Sequence, residues 1–495
     1  MKPEYDLLVL GGGAAGLTIA SGAAQLGAKV ALVSNALLGG DCLMFGCIPS
    51  KALIKSARIA HTIQNANKYG LYAENPKFDF LEIQKRIQNV IGLAAEHDDP
   101  KRFRDMGVDV IFGKADFWDE KTIYVKLSPE MEKFQQKEFL TRGSEFQISG
   151  RKIAIATGSR PFIPPIQGLR ESGFVTNKEI FSLKEQPKTL AILGGGAIGC
   201  EMAQAFVRIG TKVFLLIRGE RILPREEEKT SEILMEVFRE EGIAIHTKST
   251  VQQIHKTKEK KVITFLQGED SKEIEVDEIL VATGRIPNMD FLKLERAGIE
   301  YDKRGITTDA RLRTSKKHIY AAGDINGKSL FTHTAGYEGG IVVANAIIGI
   351  SRKADYDNIP RTTFTDPEIA VCGLSETEAK KRGISYRVWT HSFEKQDRAL
   401  TESETRGFIK ILTTGKRAKI IGGEIVGSHA GEVIHELILA RNAGLTLGHI
   451  ASSVHIYPTL SEIVKTASGK FFAEKLFSPK TRKILRFLFQ YRGKQ

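Results

Sequence analysis

Cysteine is scarce in this sequence, with four residues in a chain of 495. A secreted fold built on disulfides needs a much higher density of cysteine, so we expect a cytoplasmic protein with reduced thiols. Long hydrophobic stretches are also missing: no run of about 18 apolar residues occurs, and no transmembrane helix is predicted. The length exceeds what one hydrophobic core supports, and it favours two to four domains.

Acidic residues are rare near the end of the chain. Residues 471–495 contain seven Lys or Arg and one Glu, whereas the whole chain carries a net charge of +13. The remaining charge is spread thinly, and no motif that reads nucleic acid accompanies it. We therefore expect no nucleic-acid partner.

The segment 476–494 within this basic region is typical of a short helix, with Ser478 as N-cap and Pro479 as the first helical residue. Bulky and basic positions are mixed along it. It could pack on the neighbouring domain, lie peripherally on an anionic membrane surface or be disordered. The sequence leaves these three interpretations open.

Two distant segments share one pattern. Residues 5–34 and 189–218 each run from an apolar strand through G-x-G-x-x-G into an apolar helix and a second strand. Glycine at these positions permits the tight turn, the approach of a pyrophosphate to the backbone and close packing of helix on strand. Two copies in the same frame predict two dinucleotide-binding units. Their motif glycines are Gly11, Gly13 and Gly16 in the first copy and Gly194, Gly196 and Gly199 in the second.

Further landmarks divide the chain around the second copy. Residues 152–161 and 278–288 each read as a buried strand that ends in Ala-Thr-Gly, as expected where a chain enters and leaves an inserted domain. Residues 317–325 form another strand pattern that ends in Gly-Asp. From about residue 346 the pattern changes: 407–427 predicts antiparallel strands and 431–444 a helix, which is typical of an α+β domain.

Together these motifs resemble the pyridine nucleotide–disulfide oxidoreductases, the flavoprotein family of dihydrolipoamide dehydrogenase, glutathione reductase and mercuric reductase. GGDC, residues 97–113 and YPTLSE look most like the mercuric-reductase-like branch. The resemblance implies a homodimeric α/β protein with two Rossmann-like dinucleotide-binding domains, for FAD and NAD(P), the second inserted in the first, and a C-terminal α+β dimerisation domain. The expected bounds are 1–160 with 285–345 for FAD, 161–284 for NAD(P), 346–470 for dimerisation and 471–495 for the basic tail.

Cys42 and Cys47 lie five positions apart behind a glycine pair. A metal clip needs about four ligands, and no nearby Cys or His pair completes one. A structural disulfide across so short a loop removes little chain entropy. A redox pair fits best, because Pro49 suits the first turn of a helix whose dipole favours a thiolate.

The resemblance also implies roles for individual residues. Cys42 would attack the substrate, and Cys47 would lie under the flavin and take its electrons. Asp324 would bind the ribityl and phosphate region, with a cap of the following turn as the alternative. Lys51 and Glu201 match an ion pair near the flavin ring, although a surface pair is also open. The cofactor-binding positions further include Thr157, Gly158 and Gly284.

The two ribose positions depart from the family pattern. Ser34 stands where an acidic residue usually ends the second strand, so it and Asn35 would contact the ribose as neutral partners. In the other unit, Ile217 occupies the equivalent position. Arg218 and Arg221 follow it and could hold a 2′-phosphate, which favours NADPH over NADH, whereas Glu220 argues weakly for NADH.

Tyr457 is the third departure. It stands where the family carries the histidine that exchanges protons during dithiol chemistry, while the glutamate that holds this histidine is retained as Glu462. Tyrosine titrates near pH 10, so it is a donor and a poor base. His455 could compensate or be structural. Mercuric reductase also carries tyrosine in this region, but no cysteine follows Cys372 here to deliver mercury.

We therefore predict an enzyme that passes electrons from NAD(P)H through FAD to the Cys42–Cys47 pair and on to a small-molecule acceptor. The acceptor would be a metal ion, a quinone-like molecule or an unusual disulfide. We predict no resident metal. The alternatives are a dihydrolipoamide dehydrogenase and a flavin-binding adaptor anchored by its basic tail. Cys200 and Cys372 read as small buried core residues.

Overall fold

The computed structural model describes residues 3–74 and 76–491. Its contacts divide the chain into two compact units, each made of two segments. The first unit contains residues 1–222 and 241–355, and the second contains residues 223–240 and 356–495. The four domain bounds expected from the sequence stay predictions. The structure adds that residues 223–240, within the predicted NAD(P) segment, group with the C-terminal part of the chain.

The strands of the described chain are, in order, β1 (Tyr5–Leu10), β2 (Val30–Ser34), β3 (Val108–Phe117), β4 (Thr122–Leu127), β5 (Glu145–Ile155), β6 (Ser159–Pro161), β7 (Thr189–Leu193), β8 (Lys212–Leu216), β9 (Ala244–His246), β10 (Ser249–Lys256), β11 (Lys261–Gln267), β12 (Asp270–Val276), β13 (Glu278–Val281), β14 (Arg285–Pro287), β15 (Tyr301–Asp302), β16 (Gly305–Ile306), β17 (Ile319–Ala321), β18 (Arg361–Thr363), β19 (Glu368–Gly373), β20 (Arg387–Ser392), β21 (Phe408–Thr414) and β22 (Lys419–Gly427).

The α-helices are α1 (Ala14–Gln25), α2 (Gly40–Phe45), α3 (Cys47–Gln64), α4 (Phe80–Ala95), α5 (Pro100–Asp105), α6 (Lys137–Leu140), α7 (Leu169–Ser172), α8 (Ala197–Arg208), α9 (Glu228–Glu240), α10 (Thr332–Val343), α11 (Glu376–Lys381), α12 (Asp397–Glu402), α13 (Ala430–Val433), α14 (His435–Asn442), α15 (Leu447–Ser452), α16 (Glu462–Leu476) and α17 (Pro479–Phe489). None of the helices in the described part of the chain is both long and apolar enough to cross a bilayer.

A parallel sheet forms the centre of the first unit. Its strands β1, β2 and β17 are almost continuously apolar and are buried on both faces, as parallel strands covered by helices require. The parallel order is β3-β2-β1-β5-β17, and the register places Leu8 between Ala31 and Ile153. Strands β3 and β5 continue beyond this sheet, where both pair antiparallel with β4.

A second parallel sheet, β13-β7-β8-β9, lies between β6 and β14 in the chain order. The antiparallel sheet β10-β11-β12 lies between β9 and β13 in the chain order and shares the apolar core of the parallel sheet. The two crossing segments pair with each other, since β6 and β14 are antiparallel with Ser159 opposite Pro287. The second dinucleotide-binding unit is thus an insertion whose two ends meet in one short ladder.

The second unit contains a five-stranded antiparallel sheet, β18-β19-β22-β21-β20. The predicted strands of 407–427 are β21 and β22, and the predicted helix of 431–444 is the pair α13 and α14. Helix α9 belongs to this unit through buried polar contacts: the Thr230 hydroxyl donates to Glu424 over 2.6 Å. Arg361 of β18 forms a paired contact with Glu226, over 2.8 and 2.9 Å.

Candidate active site

The first glycine loop joins β1 to α1. Gly11 has a φ of +114°, and a Cβ at Gly16 would lie 1.8 Å from the Gly11 carbonyl oxygen, so both positions require glycine. Gly13 caps α1, whose first turn has no acidic residue. The N–H groups in the first turn of a helix are donors of the kind that bind pyrophosphate, so this loop could hold one.

The second glycine loop repeats this construction between β7 and α8. Gly194 has a φ of +120°, and a Cβ at Gly199 would lie 1.9 Å from the Gly194 carbonyl oxygen. Gly196 caps α8, and a Cβ there would meet no atom within 4 Å. The amides of this helix end are thus open to a ligand.

Cys42 and Cys47 lie on two consecutive helices beside the first loop. Cys42 is in α2, and Cys47 is the first residue of α3. The Gly39 amide donates to the Gly12 carbonyl over 2.9 Å, and a Cβ at Gly40 would lie 2.8 Å from the Cα of Gly13. This contact between glycine backbones fixes the cysteine pair next to the first glycine loop.

A hydrogen bond between the two thiols shifts their pKa values in opposite directions. The hydrogen bond from the Cys42 thiol lowers the pKa of Cys47 to about 6, assisted by Thr332 and the Lys51 charge and opposed by burial. The same hydrogen bond, with burial, raises the pKa of Cys42. The Sγ of Cys47 lies 3.5 Å from the Thr332 hydroxyl. Cys47 is therefore a thiolate at neutral pH, and Cys42 holds the proton.

Lys51 and Glu201 form an ion pair in the first unit. Their Nζ and Oε2 atoms are 2.8 Å apart, and the Glu201 side chain is buried. Lys51 lies one helical turn after Cys47, so its charge also favours the thiolate. The pair joins α3 of the cysteine segment to α8, and it is the ion pair that the family resemblance implied. Its place near the flavin ring stays a prediction.

A polar cluster connects the cysteines with the Gly-Asp motif. Arg285 donates to Asp41 over 2.8 Å and to the Ser159 hydroxyl over 2.8 Å. The Ser159 hydroxyl in turn donates to Asp324 over 2.5 Å. Burial raises the pKa of Asp324, while Ser159 and Arg285 oppose that shift. Asn177 holds Asp41 from the other side, over 3.1 Å.

Sequence reasoning missed Asp41, Ser159, Asn177, Arg285 and Thr332. Two of them carried a signal, because Ser159 and Arg285 directly follow the Ala-Thr-Gly motifs.

The Ala-Thr-Gly motifs lie beneath the glycine loops. A Cβ at Gly11 would lie 2.2 Å from the carbonyl oxygen of Ala156, and one at Gly194 would lie 2.4 Å from that of Ala282. Thr157 donates to the Asn288 carbonyl over 3.1 Å, and Asn288 returns a bond to the Thr157 carbonyl over 2.9 Å. Gly158 and Gly284 have φ values of +67° and +132°, with nothing near their Cβ positions.

The two ribose positions differ in exposure. Ser34 is buried, and its hydroxyl donates to the Ala36 carbonyl over 2.7 Å. Its neighbour Asn35 is exposed. At the equivalent position after β8, in the second dinucleotide-binding fold, Ile217 is buried, Arg218 is exposed and Arg221 is half-buried.

Glu220 also follows β8, but it forms an ion pair with Lys248 at 2.9 Å. That pairing, with a smaller effect of Arg221, lowers the pKa of Glu220. The carboxylate that argued for NADH is therefore already engaged by a cation.

Tyr457 and Glu462 do not contact each other through a hydrogen bond in the described chain. The Tyr457 hydroxyl donates to Asp397 over 3.0 Å, which raises the pKa of the tyrosine, and Glu462 accepts from the Thr459 amide over 3.4 Å. A different pair forms nearby: the Nε2 of His455 lies 3.1 Å from Glu436. Sequence reasoning missed Glu436, since it lies 19 positions upstream.

The two remaining cysteines are buried, as predicted. Burial raises the pKa of Cys200, and it raises the pKa of Cys372 to about 12. Both thiols are therefore inert hydrophobic groups. No cluster of three or more metal-ligating side chains occurs among residues 3–74 and 76–491.

Family models match most of this chain. The model described as pyridine nucleotide-disulphide oxidoreductase matches residues 5–339, and its dimerisation domain matches residues 359–468. The chain belongs to this family. It is accordingly a flavin-dependent pyridine nucleotide–disulfide oxidoreductase, and its dimerisation domain supports a homodimer.

Relatives within the family carry different activities. A mercuric reductase of Staphylococcus aureus is 35% identical over 469 residues, which cover 94% of this chain and 82% of that protein. A dihydrolipoyl dehydrogenase of Bacillus subtilis is 36% identical over 473 residues, covering 94% and 96%. The Cu(II) complex of the HOCl-induced flavoprotein disulfide reductase RclA of Escherichia coli is 28% identical, with a TM-score of 0.82 over 95% of this chain and 100% of that one.

The family uses FAD and NAD(P)H, and the residues of the first unit fit FAD. An added Cβ at Gly13 would meet only the Cα of Gly40, at 4.0 Å, so the loop leaves room for a phosphate against its backbone. The partly exposed carboxylate of Asp324 offers an acceptor for sugar hydroxyls beyond it. The cysteine pair adjoins this loop.

Proposed function

We propose that this oxidoreductase uses the Cys42–Cys47 pair as an electron relay between bound FAD and a small-molecule acceptor. FAD would supply hydride acceptance from NAD(P)H and two-electron transfer to sulfur. Reduction of the disulfide would take up two electrons from the flavin and one proton from solvent, break the S–S bond, and leave a thiolate on Cys47 and a thiol on Cys42. The observation that carries this proposal is the position of Cys47 at the start of α3, with its Sγ 3.5 Å from the Thr332 hydroxyl and Lys51 one turn later. The hydrogen bond from Cys42 and these neighbours lower the pKa of Cys47, which favours its thiolate.

The proton on Cys42 limits which acceptor can follow. Exchange with an external disulfide requires a Cys42 thiolate, so a base must remove that proton. Tyr457 is a poor candidate, because its hydroxyl already donates to Asp397 and its pKa is raised. We infer that the acceptor is a metal ion, a quinone-like molecule or an unusual disulfide whose reduction needs no strong base.

A second candidate is lipoamide reduction, which the His455–Glu436 pair favours. Histidine titrates near neutrality, and a carboxylate at 3.1 Å orients its ring in the way that general bases are held. Turnover of lipoamide at the rate of an ordinary dehydrogenase, abolished in His455→Gln and kept in Tyr457→Phe, would select this candidate.

We further propose that NADPH is the preferred reductant. Arg218 is exposed just after β8, where the ribose of the nicotinamide cofactor would bind. Glu220, the carboxylate that would favour NADH, is paired with Lys248. An arginine binds a 2′-phosphate through charge-assisted hydrogen bonds. The segment 476–494 would in addition bring the enzyme into peripheral contact with a membrane; its residues 492–494 lie outside the described residues.

Anaerobic titration of the purified holoenzyme with NADPH and then NADH tests the relay and the cofactor preference together. We expect NADPH to reduce the flavin faster and a long-wavelength thiolate–flavin band to develop. Arg218→Ala should lower kcat/KM for NADPH by about 10- to 100-fold with little change for NADH. The exposed Arg170→Ala is the matched control. A flavin that is reduced without the band would contradict the relay, and equal rates with both nucleotides would contradict the preference.

A further inference from the structure

Helix α17 leaves its apolar side chains in solvent. None of its residues is buried, and Phe487, Leu488 and Phe489 are 85%, 62% and 59% exposed. Ser478 caps the helix through the Thr481 amide at 3.1 Å, so the segment has a defined start. A helix that exposes so much apolar area has a partner outside the described chain.

The same helix is strongly basic. It contains Lys480, Arg482, Lys483 and Arg486 and no acidic residue. At 100° per residue, Arg482, Lys483 and Arg486 share one face, and Ile484 and Leu488 lie on the opposite face. Phe487 and Phe489 lie at the two borders between these faces. An amphipathic helix with a basic face and an apolar face opposite it is the pattern of segments that lie in a membrane interface.

A basic pocket adjoins the start of this helix. Its lining includes Arg417, Lys419, His449 and Lys475, with Phe471 at its base and no carboxylate. Lys475 belongs to the last turn of α16, and its carbonyl accepts a hydrogen bond from the Thr481 hydroxyl over 2.8 Å. This bond holds the beginning of α17 at the edge of the pocket.

We propose that α17 and this pocket form one binding surface for anionic phospholipid bilayers. The apolar face of α17 enters the interfacial layer, the helix cations lie at the headgroups, and the pocket binds a phosphate of a lipid headgroup. The inference rests on the membrane contact proposed above and adds the lipid class and the residues that select it.

Two other occupants fit less well. A two-fold contact between copies of α17 would oppose like charges, because the helix has no acidic residue. A nucleic acid would neutralise the cations but leave Phe487 and Leu488 in water. An anionic bilayer satisfies the charges and the apolar face together.

Co-sedimentation of the full-length holoenzyme with vesicles tests this surface. We expect binding to phosphatidylcholine vesicles that contain phosphatidylglycerol, and little binding to phosphatidylcholine alone. Arg482→Glu with Lys483→Glu should lower the partition coefficient by about 30-fold or more, since each cation contributes near an anionic surface. Arg417→Gln with Lys419→Gln should lower it by about tenfold or more, and Ile484→Ser with Leu488→Ser, which removes the apolar face, should abolish binding.

The exposed Lys380→Glu with Lys381→Glu is the matched control, and it should bind as the unaltered protein does. Equal binding to neutral vesicles, equal loss in the control, or a helix-dependent rise in sedimenting mass without lipid would overturn the proposal. Stronger binding to DNA or RNA than to anionic vesicles would overturn it as well. Flavin reduction by NADPH without vesicles is measured separately, so failure of the relay and failure of the membrane surface are distinguished.

Discussion

The two glycine loops have the same backbone construction and different neighbours. In both, the Cβ of the third glycine would collide with the carbonyl of the first, at 1.8 Å for Gly16 and 1.9 Å for Gly199. The second glycines differ: Gly13 faces the backbone of Gly40 at 4.0 Å, whereas Gly196 faces nothing within 4 Å. The first loop, which Gly40 partly covers, suits a cofactor that stays bound. The second loop, whose Gly196 is open, suits a cofactor that exchanges at each turnover.

The segment that packs on the first loop also contains the cysteine pair. Gly40 opens α2, and two residues later stands Cys42. The second loop has Cys200 at its helix start, but that thiol is buried and its pKa is raised. The two loops have similar backbones, and the difference between them lies in the segment that packs on the first loop.

Substitution of Cys42 or Cys47 should have the largest effect on turnover, because the cysteine pair is the feature that distinguishes the first glycine loop from the second. We expect Cys47→Ser to lower acceptor turnover by about 10³-fold while NADPH still reduces the flavin. Cys42→Ser should lower turnover as strongly but keep the Cys47 thiolate and its long-wavelength band. Stopped-flow absorbance measures both steps. Normal turnover in either variant would mean that electrons bypass the sulfurs.

Filling each loop should separate the two cofactors. Gly16→Ala and Gly199→Ala each force a Cβ against a carbonyl, which costs about 1–3 kcal/mol or displaces the loop. We expect Gly16→Ala to purify with substoichiometric flavin. Gly199→Ala should keep its flavin and bind NADPH about 10- to 100-fold more weakly. Flavin absorbance and NADPH titration report the two losses, and a single shared loss would show that the loops do not act independently.

The Lys51–Glu201 ion pair should give the smallest effect. In the reduced enzyme the Cys47 thiolate should be lost as pH falls through about 6, because its folded-state pKa lies below the usual thiol value. Lys51→Met should raise that pKa by about one unit, since a nearby cation is removed. Lys55→Met, one turn further along α3, is the control. A titration of the long-wavelength band that is unchanged in Lys51→Met would exclude this charge from the relay.

Local patterns predicted much of this fold. The glycine loops, Cys47 at a helix start, the strands of 407–427 and the Ser478 cap all follow from residues within one or two turns of each other. The polar cluster of Asp41, Arg285 and Asp324 could not be predicted, because its members lie far apart in the chain and meet only after the sheet forms. Glu436 was missed for the same reason, and the grouping of α9 with residues 356–495 depends on buried partners such as Glu424.

The short ladder of β6 and β14 brings the entry and the exit of the inserted segment side by side. Both of its ends leave the host sheet at one place, with Ser159 opposite Pro287, so a replacement of equal end-to-end spacing would leave the host register undisturbed. A graft would need to supply a carboxylate where Glu201 stands, so that the ion pair with Lys51 of the host is kept. It would also need to retain residues 223–240, whose Glu226 and Thr230 contact Arg361 and Glu424. Exchange of nucleotide preference by domain transplantation is therefore a feasible route for engineering this enzyme.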